Sequence, residues 1–152
     1  MYSKEEAYQR KKRFWISFGQ YMSLQPSNRG AKVNWLNYKT GIKDLYFRIK
    51  VNNHSASVFI EISSKDTKIQ QKIYEKFEMF QDILTTYLHE KWIWNFGVYD
   101  EQGKIISTIG ITKENISIFR ETDWGEIISF CKENLLALDN FWSNYKEAFL
   151  LE

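Results

Sequence analysis

The chain has one cysteine, Cys131, two histidines, His54 and His89, and one proline, Pro26, in 152 residues. A lone cysteine excludes an internal disulfide. Together the three soft side chains are too few for a zinc site built from Cys and His. No stretch approaches the roughly 18 apolar residues needed to span a bilayer. The opening Met1-Tyr2-Ser3-Lys4-Glu5-Glu6 is polar where a signal core would be apolar, so the expected location is the cytoplasm, with no membrane partner. Twenty-one basic against nineteen acidic residues leave a formal charge of +2. That balance does not by itself announce a nucleic-acid or membrane ligand. The sequence also has no nucleophile elbow and no phosphate-binding glycine loop, which disfavours hydrolase triads and nucleotide kinases. No linker or low-complexity stretch divides it. Pro26 sits with Ser27, Asn28, Arg29 and Gly30 in a loop, and residues 1–152 are read as a single domain.

Aromatic residues, in contrast, are abundant at 17%, within 43% hydrophobic residues. Such a composition supports a large core and argues against disorder. Three segments carry helical periodicity. In the first, Ser3 and Glu6 form a capping box, and Ala7, Phe14, Trp15, Phe18, Tyr21 and Met22 make one stripe ending near Met22. In the second, Asp66 caps a run to Leu88 in which Ile69, Ile73, Phe77, Phe80 and Leu84 recur. The third runs from Asp123 to Phe149, with Asp123 and Glu126 as a further capping box. Ile127, Cys131, Leu135, Leu138 and Trp142 line its apolar face.

Between the helices the period drops to two. An antiparallel hairpin of Lys43–Val51 and Ala56–Ser63 places Leu45, Phe47, Ile49 and Val51 beside Ala56, Val58, Ile60 and Ile62. A one-residue slip would put polar side chains against that row. Val33–Tyr38 is expected as a preceding strand, joined through Lys39-Thr40-Gly41. Residues 92–119 show three further alternating runs, with Trp92, Trp94, Phe96 and Val98 sharing a face with Ile105, Ile109 and Ile111. The expected fold is therefore α+β: a helix plus a three-stranded antiparallel meander occurring twice, then a long C-terminal helix.

The hairpin register sets Asp44, Glu61 and Ser63 on one polar face. With the order helix, three strands, helix, strand, this resembles the restriction-endonuclease-like PD-(D/E)xK core. That resemblance implies two carboxylates, Asp44 and Glu61, holding magnesium, and a lysine that helps activate water. Ser63 stands where the lysine belongs, with Lys43, Lys50 and Lys65 nearby in sequence. The competing reading is structural: Glu61 pairs across strands with Arg48 or Lys50 on a solvated face. For nucleic-acid binding the candidates are Arg10, Lys11, Lys12, Arg13, Trp35 and Lys39, with Tyr38 beside them. Four consecutive basic residues on a helix point around the whole cylinder, however, which favours a solvated surface. Cys131, on an apolar stripe, reads as a packed thiol.

Beyond single motifs, FWISFGQY at 14–21, VNWLNYKTG at 33–41, KDLYFRI at 43–49, FRETDW at 119–124 and ALDNFW at 137–142 resemble the bacterial domain of unknown function 4268 family. Domains similar to it occur at the C-terminal end of longer proteins whose other part is nuclease-like. The resemblance implies an accessory module linked to nucleic-acid processing, with nucleic acid or a nuclease-like protein as partner and no cofactor. A degenerate magnesium-dependent nuclease and a homo-oligomeric self-association domain are the alternatives.

Overall fold

The computed structural model describes residues 3–27, 30 and 32–150. Asn28 and Arg29, in the loop around Pro26, lie outside the described residues. Helix α1 covers Lys4–Met22, and its capping box forms as the sequence predicts: the Glu6 amide donates to Ser3 Oγ at 3.1 Å. Its buried face is Phe14, Phe18 and Met22, the i, i+4, i+8 subset of the expected stripe.

Val33–Tyr38 does not form a strand. Trp35–Asn37 is a turn of 3-10 helix, because the Asn34 side chain accepts from the Asn37 amide at 3.1 Å and draws the backbone into a turn. Trp35 then packs inward, 3% exposed, with its indole N–H donating to the Gln25 carbonyl at 3.0 Å. The hairpin that follows matches its expected register. Strands β1 (Leu45–Val51) and β2 (Ser55–Ile62) pair Leu45 with Ile62, Phe47 with Ile60, Ile49 with Val58 and Val51 with Ala56.

The second helical segment is two helices, α2 (Thr67–Met79) and α3 (Gln81–Tyr87). Asp66 caps the first, accepting from the Lys68 and Ile69 amides. The chain breaks at Phe80, whose ring fills the space between Tyr145 and Phe149 at 5.6 and 5.4 Å. Aromatic packing there overrides a periodicity that would otherwise run through.

Strands β3 (Ile93–Tyr99) and β4 (Ile105–Glu114) complete one antiparallel sheet of order β1-β2-β4-β3. Each half thus contributes two strands, where the alternation predicted three. Residues 116–118 carry the apolar alternation, and Ile116 and Ile118 are buried, but the segment caps the β1–β2 turn. The Asn115 amide donates to the His54 carbonyl at 2.9 Å and the Ile118 amide to the Asn52 carbonyl at 3.0 Å. A bulge between Asn95 and Val98 corrects the expected parity of β3. Trp94 opposes Ile109 on the helix side, whereas Val98 opposes Ile106 and turns to the other face.

Helix α4 (Trp124–Tyr145) lies across the sheet, followed by a 3-10 turn at Lys146–Phe149. Its expected capping box is not made. The Asp123 carboxylate instead accepts from Arg120 Nε at 2.7 Å and the Ser117 amide at 2.9 Å. The hydrogen bond from Arg120, then that from Ser117, holds its pKa below the usual carboxylate range. The four α-helices among the described residues pack on one side of the sheet. Tyr46, Arg48, Phe59, Glu61, Thr108 and Asn95 point away from them, on an open face.

Candidate functional site

The structure separates the two carboxylates of the magnesium reading. Glu61 stays on the open sheet face, opposite Tyr46 in the register. It accepts from Arg48 Nη2 at 3.3 Å, and that guanidinium also sits 4.0 Å from the Tyr46 ring centre. Lys50 pairs with Glu101 on the same face. The face holds a shallow cavity of about 550 Å³ lined by Arg48, Phe59 and Glu61. Both of its cations are paired with a carboxylate, as the structural reading of Glu61 expects.

Asp44 leaves the strand pattern. Its φ is 61°, and the strand begins only at Leu45, so parity no longer sets its direction. Its carbonyl accepts from the Ser63 amide at 2.9 Å. Its side chain lines a separate cleft of about 710 Å³ with Lys43, Lys65, Lys104 and Asp66, at the N-terminal end of α2. Ser63 is buried beneath, its hydroxyl directed at the Asp44 carbonyl. Among the described residues, no group of three His, Cys, Asp or Glu side chains converges.

A second cleft, about 500 Å³, lies between the 32–39 segment and α4, lined by Lys32, Asn34, Lys39, Asp139, Trp142 and Lys146 among others. Asp139 is 1% exposed at its base and accepts from the Tyr38 hydroxyl at 2.6 Å. A carboxylate so deeply placed is tolerated only with such donors. Spacing offered a signal: Asp139 follows Leu135 by four residues and precedes Trp142 by three, so it lies on an apolar stripe where a charge needs a reason.

The two clefts adjoin. Gly41 lines the first, and a Cβ placed on it would lie 2.8 Å from Cε and Nζ of Lys146, which lines the second. With φ at 85°, Gly41 takes a conformation that side chains resist, while the end of the Lys146 side chain is free to move aside. Six lysines therefore surround the 39–43 loop: Lys32, Lys39 and Lys146 on one side, Lys43, Lys65 and Lys104 on the other. None of the six is in an ion pair among the described residues. Of the three carboxylates present, Asp66 caps α2 and Asp139 is held by Tyr38. Lys32, Lys104 and Lys146 are far apart in sequence, and only the fold brings them together.

The other nucleic-acid candidates are engaged elsewhere. Arg10 and Arg13 pair with Glu121 at 3.5 and 3.0 Å, and Lys11 lies over the Phe119 ring at 5.6 Å. These contacts fasten α1 to the segment before α4, leaving Lys12 exposed. Buried Trp35 presents no face to a base. Of that group, Lys39 alone lines a cleft of the lysine cluster.

A family model described as "Domain of unknown function (DUF4268)" matches residues 10–146. The chain belongs to this family. The matched span includes the whole sheet, α4 and every residue lining the two clefts except Leu150, so the six lysines around the 39–43 loop are part of the DUF4268 domain itself. Neither a search of the curated proteins nor a search of the solved structures returned a match. Among the described residues no helix is long and apolar enough to cross a membrane.

Proposed function

We propose that this DUF4268 domain is a non-catalytic module of the bacterial cytoplasm that binds nucleic acid through the paired clefts around residues 39–43. The observation that carries the proposal is the set of six lysines lining adjoining clefts, none with a carboxylate partner among the described residues. Ammonium groups left unpaired in this way suit phosphates, whose binding releases condensed counterions. The clefts also offer side-chain amides, those of Asn34 and Asn37. The open sheet face is less suited, since Arg48 and Lys50 are already paired there.

Fluorescence anisotropy with labelled oligonucleotides tests this across salt. Engagement of four to six phosphates predicts a log–log salt slope of roughly −3 to −5. Lys39→Ala, Lys43→Ala and Lys65→Ala should each reduce its magnitude by about 1, while Lys12→Ala leaves it unchanged. Binding that ignores salt, or that falls with Lys12 and not with the cleft lysines, overturns the proposal.

One observation favours magnesium-dependent cleavage as a second reading: Asp44 and Asp66 share a cleft with Lys43 and Lys65. Because Asp66 is engaged as a helix cap and Glu61 lies elsewhere, the expected outcome with magnesium or manganese is binding without turnover. Cleavage abolished by Asp44→Ala would instead establish a nuclease.

A further inference from the structure

Strand β3 is an edge of the sheet, paired with β4 on one side only. Its sequence, IWNFGVY, contains no charged residue, and every position but Trp94 is exposed. Ile93 is 65% exposed, Phe96 53%, Val98 37% and Tyr99 75%; Ile105, opposite Tyr99, is 42% exposed. The opposite edge is protected. Strand β1 carries Arg48 and Lys50 and runs beside the 3-10 turn at Trp35–Asn37. Natural sheets guard their edges with charge, proline, cover or a bulge, and β3 has only the bulge. That bulge is firmly supported: the Gly97 amide donates to Ser107 Oγ at 3.1 Å, and Ser107 donates to buried Gln70 Oε1 at 2.8 Å. It is a fixed kink and not a frayed end, and the rest of the strand's outer backbone stays available for pairing.

We propose that β3 is a homodimer interface, in which a second copy adds its own β3 antiparallel across a two-fold axis near the strand's midpoint. The closed symmetry gives each copy the same surface. It sets an uncharged strand against an uncharged strand and brings the Ile93 end of one alongside the Tyr99 end of the other, so no ionised group loses water without a partner. Size supports this occupant. Fully buried aromatics cover 150–250 Å² each, so these exposures leave roughly 100 Å² on Phe96 and roughly 150 Å² on Tyr99. With Ile93, Val98 and Ile105 the total is on the order of 500 Å² per copy. Full burial in a pair would cover up to about 1,000 Å², the size at which specific interfaces begin. The lysine clefts are lined from other segments, so both copies keep them.

Sedimentation equilibrium of the 152-residue chain, from about 1 to 100 µM, tests the proposal over the range in which a micromolar dimer forms. The expected species is a dimer. The double variant Ile93→Lys/Tyr99→Lys places charge at two exposed positions and should weaken the dimer at least about a hundredfold while leaving far-UV circular dichroism unchanged. Tyr99→Lys alone, at the strand's end, should weaken it in the same direction. Hydrogen exchange supplies a measure independent of substitution: the β3 amides should slow as wild-type concentration rises through the dissociation constant. A monomer throughout the range, or a dimer indifferent to both variants with unprotected β3 amides, overturns the proposal.

Discussion

Trp142→Ala is expected to lower the stability of the domain by about 3–5 kcal/mol, the range for emptying a buried aromatic site. Trp142 is 2% exposed and lies within ring contact of Phe47 at 5.7 Å, Phe77 at 6.4 Å and Phe149 at 5.1 Å. It therefore joins β1, α2 and the C-terminal turn in one cluster. Its indole N–H donates to the Thr40 carbonyl at 2.8 Å, fastening the 39–43 loop to α4. Alanine removes the packing and leaves a buried carbonyl without its donor. Trp142→Phe separates the two effects. It keeps most of the ring and should cost less, with about 1–3 kcal/mol assignable to the unpaired carbonyl. Urea denaturation midpoints report both, and an unchanged midpoint for Trp142→Ala would show that α4 does not hold the core together.

The connection from Trp142 to Thr40 also marks where sequence reasoning succeeds and where it stops. Burial of Trp142 follows from the heptad-like stripe of α4, since its spacing from Cys131, Leu135 and Leu138 is local information. Its neighbours do not. The structure sets it against β1 and α2, which no spacing within α4 could name. A stripe states that a face is covered and not by what. The β1–β2 register was legible for the opposite reason: a slip by one residue would have set Phe47 and Ile60 on opposite faces, so the alternation left a single solution.

The misread segments each contain a local competitor to the ladder or helix. Asn34 uses its side chain to make a turn where Val33 and Trp35 suggested a strand. Gly97, with φ at 64°, admits the bulge that moves Val98 to the open face. Asp44, at φ 61°, ends the alternation one residue before the strand begins, and this is why the carboxylates grouped by parity lie in separate cavities. The lysine clusters had no sequence signature, since residues as distant as Lys32 and Lys146 meet only through packing. Overall charge hid them as well, because +2 on the whole chain is compatible with strong local asymmetry.

Alkaline pH should destabilise the domain through Cys131. The thiol is fully buried on α4, and burial alone pushes its pKa from 9.0 to about 12. The direction follows from proton counts. Below pH 9 the thiol is protonated in both folded and unfolded chains, and its contribution to stability is fully present. Between 9 and 12 the unfolded chain releases the proton while the folded one retains it, so stability falls as pH rises. A single such group gives a slope of about 1.4 kcal/mol per pH unit, or about 4 kcal/mol across the window. Tyr74, raised by burial and then by Glu78, and Tyr145, raised by its hydrogen bond with Tyr87, add to the fall above pH 10. Cys131→Ala should therefore flatten the dependence between pH 9 and 10 and retain part of it above. Urea midpoints for both proteins at half-unit steps from pH 8 to 11 make the comparison, with each slope read relative to its own pH 8 value so that the cavity left by the missing sulfur cancels. Thiol reactivity tests the same burial directly. An aromatic disulfide reagent should label Cys131 in urea within its mixing time, and in native buffer only at the rate at which α4 opens. Equal labelling in the two conditions, or equal pH slopes for the two proteins, would place the sulfur in contact with water.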